Sequence, residues 1–334
     1  MNYLVISETG DYLPVAMKLQ AEGHNVTFHV RDKERRNIGK GIVECVSNIP
    51  KNIDIAILDM PVTFELADKL NCRVFTSCEF TDFFTSDKEY FEEICELIGL
   101  DHDTKLYPDN AVEGWFNGDR FVLPIFYHQY KSRFMSNDLG ASVPEGHMGI
   151  ISSHEHSFSD KFNRLLKKME PTLKKAGYKG LIRLDLHGDK ICRPSFRLHI
   201  PTIFELISEP LSQLIKETVN GDLRYIKTYR EQAVAVKISI PPYPYCPRFF
   251  WEHGHYQIAG KTLFKADEHQ MKHMWMLNVY RDNGTIKATG HSGDLGYVTS
   301  RTGVTFKEAG RRIKRTIQNL NVPDLQYRSD IGFA

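Results

Sequence analysis

Three arginines close together in the chain, Arg183, Arg193 and Arg197, form a group of residues able to hold an anion. They lie in the stretch from Tyr178 to Pro201, where Leu181, Arg183, Asp185 and His187 alternate with Ile182, Leu184 and Leu186. Alternation with period two implies a strand, and His187-Gly188-Asp189 supplies a turn, so the stretch reads as a hairpin whose second strand runs from Lys190 to about Arg197. Arg193 and Arg197 then share a face, which Arg183 joins from the partner strand. Two guanidiniums placed in this way clamp a phosphate or carboxylate without any cation. The other reading is a salt-bridged cleft, with Asp185 or Glu205 as partner.

Histidine is used freely, at 14 positions. His154-Glu155-His156 and His253-Gly254-His255 each put two imidazoles on one side of a strand, and His269 and His273 stand one helical turn apart if that segment is helical. None has a third ligand of motif grade, so solvated surface histidines and no metal are expected. Pro241-Pro242-Tyr243-Pro244-Tyr245, followed by Phe249, Phe250 and Trp251, reads either as an aromatic surface for stacking a base or sugar or as a rigid crossing between strands.

The elements that must position these residues fit a chain of 334 residues, long enough for two or three domains. A net charge of +1 gives no whole-molecule field to attract nucleic acid or membrane. With no signal-like opening and no bilayer-length apolar run, a cytoplasmic protein is expected. Asn2 to Ser7, Tyr12 to Glu22, Asn25 to Val30, Ile53 to Leu58, Val62 to Leu70 and Arg73 to Thr76 alternate strand and helix, which makes a small doubly wound N-terminal domain over residues 1–79. Residues 80–112 hold one helix, Lys88 to Ile98, and a polar connector. A central α/β domain follows over 113–225, including a helix from Asp160 to Ala176 and another from Thr202 to Lys216. Residues 226–334 read as short antiparallel strands closed by a helix from Thr305 to Asn319.

Several segments, in order, resemble the phosphoribosylamine–glycine ligases of the ATP-grasp superfamily. They are Glu113-Gly114-Trp115-Phe116 with Gly118 to Pro124, His128 to Arg133, Gly146-His147-Met148-Gly149-Ile150, Thr289 to Thr299, and the closing Tyr327-Arg328-Ser329-Asp330-Ile331-Gly332. The resemblance implies an ATP-grasp ligase-like α/β fold with the small doubly wound domain first, a reduced central α/β domain and a C-terminal antiparallel β domain. It also implies that Gly10, Asp11, Pro61, Gly146, Met148, Gly149, Arg197, Asp294 and Leu295 line the substrate cleft.

The chemistry the family performs is altered at several of these places. Its hairpin carries a Glu and an Asn two residues apart for the magnesium ions that bridge the ATP phosphates, whereas this chain has Arg193-Pro194-Ser195. A guanidinium neutralises phosphate but cannot ligate a cation. The first loop, Ser7-Glu8-Thr9-Gly10-Asp11, is acidic, Asp59-Met60-Pro61 replaces a Gly-Pro-Glu, and Asp294 replaces an arginine. The span from 80 to 112 is too short for the family's ATP-clamping lid. ATP and magnesium are the family's cofactors, and none is expected here.

Several functions remain open. The first is a carbon–nitrogen bond-forming transferase whose phosphorylated nucleotide or base arrives already activated and meets an amine or amino acid, with Lys131, His147 and Arg193 as phosphate clamp and proton carrier. The second is a non-catalytic module that binds a ligand or partner. An active carbon–nitrogen ligase whose ATP and metal ligands have moved elsewhere in the chain comes next, and a metal-dependent hydrolase built on the histidines last.

Overall fold

The computed structural model describes residues 1–334 apart from 60–63, 77, 153–155, 199–200, 230, 245–257, 266–270, 304, 321 and 331–334, with side chains also left out at 144–152, 156–161 and 265. The N-terminal part is a parallel sheet in the order β3-β2-β1-β4-β5, formed by β1 (Asn2–Ser7), β2 (Asn25–Val30), β3 (Glu44–Cys45), β4 (Ile55–Leu58) and β5 (Arg73–Phe75). Its inner strands are apolar on both faces because helices cover both. Leu4 and Ile6 pack with Ala56, Leu58 and Ala67 on one side, while Tyr3 and Val5 pack with Leu13 and Ala16 on the other. The connecting helices are α1 (Leu13–Ala21) and α2 (Phe64–Lys69).

Residues expected to be mostly connector are more ordered than the sequence suggests. Two helices occur there, α3 (Glu79–Ser86) and α4 (Lys88–Leu97), and their Phe80, Phe84, Phe91 and Cys95 join the core. No strand lies between residues 78 and 109 among the described residues, apart from the single bridge His102–Ile191.

The largest sheet has the order β10-β9-β6-β7-β8-β11-β16-β13. Its strands are β6 (Asn110–Phe116), β7 (Phe121–Met135), β8 (Leu139–Ser152), β9 (Gly180–His187), β10 (Lys190–Ser195), β11 (Gln232–Ser239), β13 (Met274–Met276) and β16 (Asp294–Thr302), and β17 (Gln326–Tyr327) pairs with β11. The C-terminal strands are antiparallel as expected, but they do not all stand apart. β11, β16 and β13 extend the central sheet, because β11 pairs with β8 on one side and β16 on the other. The rest, β12 (Thr262–Lys265), β14 (Val279–Asp282) and β15 (Thr285–Ala288), make a separate three-stranded sheet.

Alternation sorts the two faces of the central sheet. Val112, Phe116, Ile182 and Leu184 meet Leu166, Met169 and Leu173 of α5 (His156–Lys175), while Ala111, Trp115 and Leu181 point to the opposite core. That opposite core contains α6 (Pro201–Leu206) and α7 (Leu211–Asn220). A single helix from Thr202 to Lys216 does not form, because Pro210 lacks an N–H and stands instead as the N-cap of α7. The last helix, α8 (Phe306–Gln318), starts as expected at Thr305, whose hydroxyl accepts from the Glu308 N–H.

Candidate functional site

In a doubly wound sheet the crevice for a ligand opens at the C-terminal ends of the strands, where the strand order reverses. Here that point lies between β1 and β4, and Ser7 and Asp59 stand at it. The Ser7 hydroxyl donates to Asp59 Oδ2 at 2.6 Å and accepts from the Gly10 N–H at 3.0 Å. Arg197, just beyond β10, closes the crevice from the central sheet, with Nη2 2.7 Å from Asp59 Oδ1 and 3.2 Å from Asp11 Oδ2. The Tyr12 hydroxyl, fully buried, accepts the Leu198 N–H at 2.8 Å and so fixes the segment that carries Arg197. At the end of β5, buried Thr76 has φ 74°, a left-handed conformation that a β-branched residue rarely adopts. Backbone strain of this kind is typical of ligand sites.

A second polar group runs across the central sheet on the face toward α6 and α7. Asp185 accepts from Arg183 Nε on one oxygen and from Arg193 Nε on the other, both at 2.6 Å. Arg183 is fully buried, lies 5.5 Å from the Tyr130 ring centroid, and is directly opposite Glu113 in the β6–β9 register. Glu113 Oε2 is 3.7 Å from His128 Nε2, both residues being buried.

The two arginines expected to act together are therefore held by different carboxylates. Arg193 belongs to Asp185, and Arg197 to Asp59 and Asp11, because β10 ends at Ser195 and the chain then turns toward the N-terminal sheet. The magnesium site of the resembled ligases does not fit these residues. By the resemblance Arg193 stands for a carboxylate, and the carboxylate it meets, Asp185, has an arginine on each oxygen. Among the described residues no group of three or more His, Cys, Asp or Glu is arranged to hold a metal ion. His154, His253, His255 and His269 lie outside the described residues, as does Pro61, and the side chain of His156 is among those left out.

Lys131 and His147 are paired across β7 and β8, but Lys131 is adjacent to Tyr130 and so faces away from the side on which Arg193 lies. Its ammonium is 3.0 Å from Asp138 at the hairpin tip. Met148 pairs in register with Tyr130 and Ala235, and Gly149 with Gln129 and Val234; Gly146 lies on the same strand. Leu295 is buried. Asp294, in the loop where a positive charge was expected, is bound by the Lys237 ammonium and accepts the Gly296 N–H at 3.0 Å. Burial alone would depress the Lys237 ammonium, yet Asp294, with Tyr297 and Tyr243 beside it, holds it well above its ordinary value.

Sequence reasoning missed Asp59, Glu113 and Lys237 as functional groups. Each was signalled by a charge within or directly after an apolar strand, as in Ile55-Ala56-Ile57-Leu58-Asp59 and Ala235-Val236-Lys237-Ile238. Burial pushes the Asp59 carboxyl up to about 7 against the pull of Arg197, and pushes Glu113 up to about 8 against the pull of Arg183. Carboxyls shifted in this way mark candidate sites of proton transfer.

The shifts have a sign that can be tested. Both folded values lie above the ordinary ones, so the folded chain binds more protons than the unfolded chain between about pH 4 and 8. Stability is full below pH 4 with respect to these groups and falls as pH rises through 7 and 8. Urea unfolding across that range should show the decline, and Asp59→Asn with Glu113→Gln should flatten it. An unchanged slope in the double variant would refute the assignment.

No protein-family model and no curated protein sequence matches the chain. Solved structures do. Phosphoribosylamine–glycine ligase from Thermotoga maritima superposes with a TM-score of 0.72 at 16% identity, over 99% of this chain and 100% of that one. N5-carboxyaminoimidazole ribonucleotide synthetase from the same organism gives 0.56 at 9% identity, over 98% and 99%. A Rhizobium etli pyruvate carboxylase gives 0.63 at 10% identity, and this chain spans 36% of its length. The fold is that of the ATP-grasp ligases. No helix among the described residues is long and apolar enough to cross a membrane.

Proposed function

We propose that this chain is an ATP-grasp-fold protein of nucleotide-related metabolism that works without Mg-ATP, joining an amine to a small phosphorylated substrate that arrives already activated. The observation that carries this reading is the Arg193–Asp185 pair, which holds a guanidinium at the position that the sequence resemblance aligns with a metal-binding carboxylate. Two helices and no strand between residues 78 and 109 among the described residues support it, as do the structural neighbours named phosphoribosylamine–glycine ligase and N5-carboxyaminoimidazole ribonucleotide synthetase. Arg197 and Arg193 take the substrate's phosphate. The amine nitrogen bonds to the activated carbon, the leaving group departs with the bonding pair, and Asp59 accepts the released proton. In this reading Lys131, which faces away from Arg193, takes no part.

A panel of nucleotides, sugar phosphates and amino acids, followed by thermal shift with and without EDTA, tests the reading. A bound phosphate ligand at a hundredfold excess over its dissociation constant adds about 2.7 kcal/mol. That shift should persist in EDTA and disappear in Arg193→Ala. A shift that requires magnesium would overturn the reading.

A second reading, a non-catalytic ligand-binding or partner-binding module, is favoured by one observation. The reversed charge at Asp294 is satisfied internally by Lys237 instead of being left for a substrate. No shift anywhere in the panel supports that module.

A further inference from the structure

On the far side of α1 from the crevice, a groove of about 650 Å³ opens between α1, α6 and the strands β13 and β14. Its size is that of a small-molecule site. One wall is an aromatic pair, Phe204 and Trp275, stacked with centroids 4.9 Å apart and planes 8° from parallel. The Lys18 ammonium stands 5.8 Å from the Phe204 centroid.

The charge in the groove is incompletely matched. Arg281 Nε is buried without a hydrogen-bond acceptor, and its Nη2 meets only the Met271 sulfur, at 3.7 Å. No carboxylate among the described residues pairs with Arg281, Lys18 or Lys272 in an ion pair. The two acids of the groove are otherwise engaged. Glu22 accepts the Leu211 and Ser212 N–H groups at the start of α7, and Glu205 is held by Thr299 and His273. Arg281 is half-buried, and its buried Nε without an acceptor is costly unless an anion completes it.

We propose that this groove binds a small anion carrying a flat ring, with the charged group on Arg281 and Lys18 and the ring against Phe204 and Trp275. The ring pair supplies apolar surface and the cations supply orientation, so neither half of such a ligand binds well alone.

Isothermal titration with adenosine 5′-monophosphate and with 1-naphthoate, compared with adenosine and inorganic phosphate, tests this on the whole chain. At least one of the two ring-bearing anions should bind saturably, and adenosine and phosphate should each bind about tenfold more weakly or less. Arg281→Met should weaken the anion by roughly tenfold to a hundredfold, the loss of a charge-assisted contact. Lys18→Met provides the same test should the first variant fail to fold. Arg193→Ala, in the crevice, should leave the binding of 1-naphthoate, which carries no phosphate, unchanged. Absence of saturable binding by both anions, or binding lost with Arg193→Ala and kept with Arg281→Met and Lys18→Met, overturns the proposal. Binding of adenosine 5′-monophosphate lost only with Arg193→Ala is what the crevice reading expects, so that reading, which rests on Arg193 and Arg197, stands when this one fails.

Discussion

Replacing Asp185 by alanine should lower the free energy of unfolding by about 3–5 kcal/mol, the cost of breaking a buried ion pair by removing one partner. Arg183 is fully buried, and both oxygens of Asp185 serve guanidiniums at 2.6 Å. Without the carboxylate, a positive charge is left inside the sheet between Tyr130 and Glu113. Adding Arg183→Met should return part of the loss, because an apolar side chain of similar reach needs no counter-charge. The measurement is urea unfolding of the two single variants and the double. A cost under about 1 kcal/mol for Asp185→Ala, in the range of an exposed pair, would show that this network does not hold the hairpin.

Gly296→Ala should be comparably damaging, at about 3 kcal/mol or more, for a backbone reason. Gly296 has φ +106°, and a Cβ there would drive into the carbonyl oxygen of Trp275. That carbonyl cannot yield, since β13 is paired to β16 through Trp275–Tyr297 and Met276–Gly296. Left-handed backbone costs a residue with a side chain roughly 1–2 kcal/mol, and forced overpacking adds about 1–3. Gly284, at φ +74° with nothing within 4 Å of a Cβ, bears only the first of these, so Gly284→Ala should cost about 1–2 kcal/mol. Equal losses in the two variants would remove the clash as the cause. Because the Gly296 N–H also donates to Asp294, the same change should loosen the Lys237–Asp294 pair.

Much of the architecture was legible because it is written in local pattern. β1 and β2 fall where short apolar runs put them, α8 begins at its threonine cap, and the β9–β10 turn forms at Gly188, whose φ of 57° needs no side-chain accommodation. Of the two helices α3 and α4, the sequence showed α4 to within a residue and did not show α3. Their aromatic residues are buried by partners from β6 and α5, so burial of Phe80, Phe84 and Phe91 depends on distant sequence.

The pairing of charges was open in the sequence and was decided by the tertiary structure. In a regular hairpin that keeps Ile191 opposite Leu186, Arg193 would face Leu184. A bulge between Ile191 and Arg193 shifts the register, so Arg193 lands opposite Asp185 and is bound there. Arg197, alike in type and close in sequence, falls past the strand end and meets Asp59 and Asp11 of the N-terminal sheet. Lys237 and Asp294 likewise pair only because β11 and β16 are neighbours. Residue types and their alternation along the chain determine which side chains can carry charge and which faces are apolar. Whether a given guanidinium serves a ligand or a carboxylate of its own chain depends on distances of a few ångströms and on burial, which exist only once strands far apart in sequence have been brought into register.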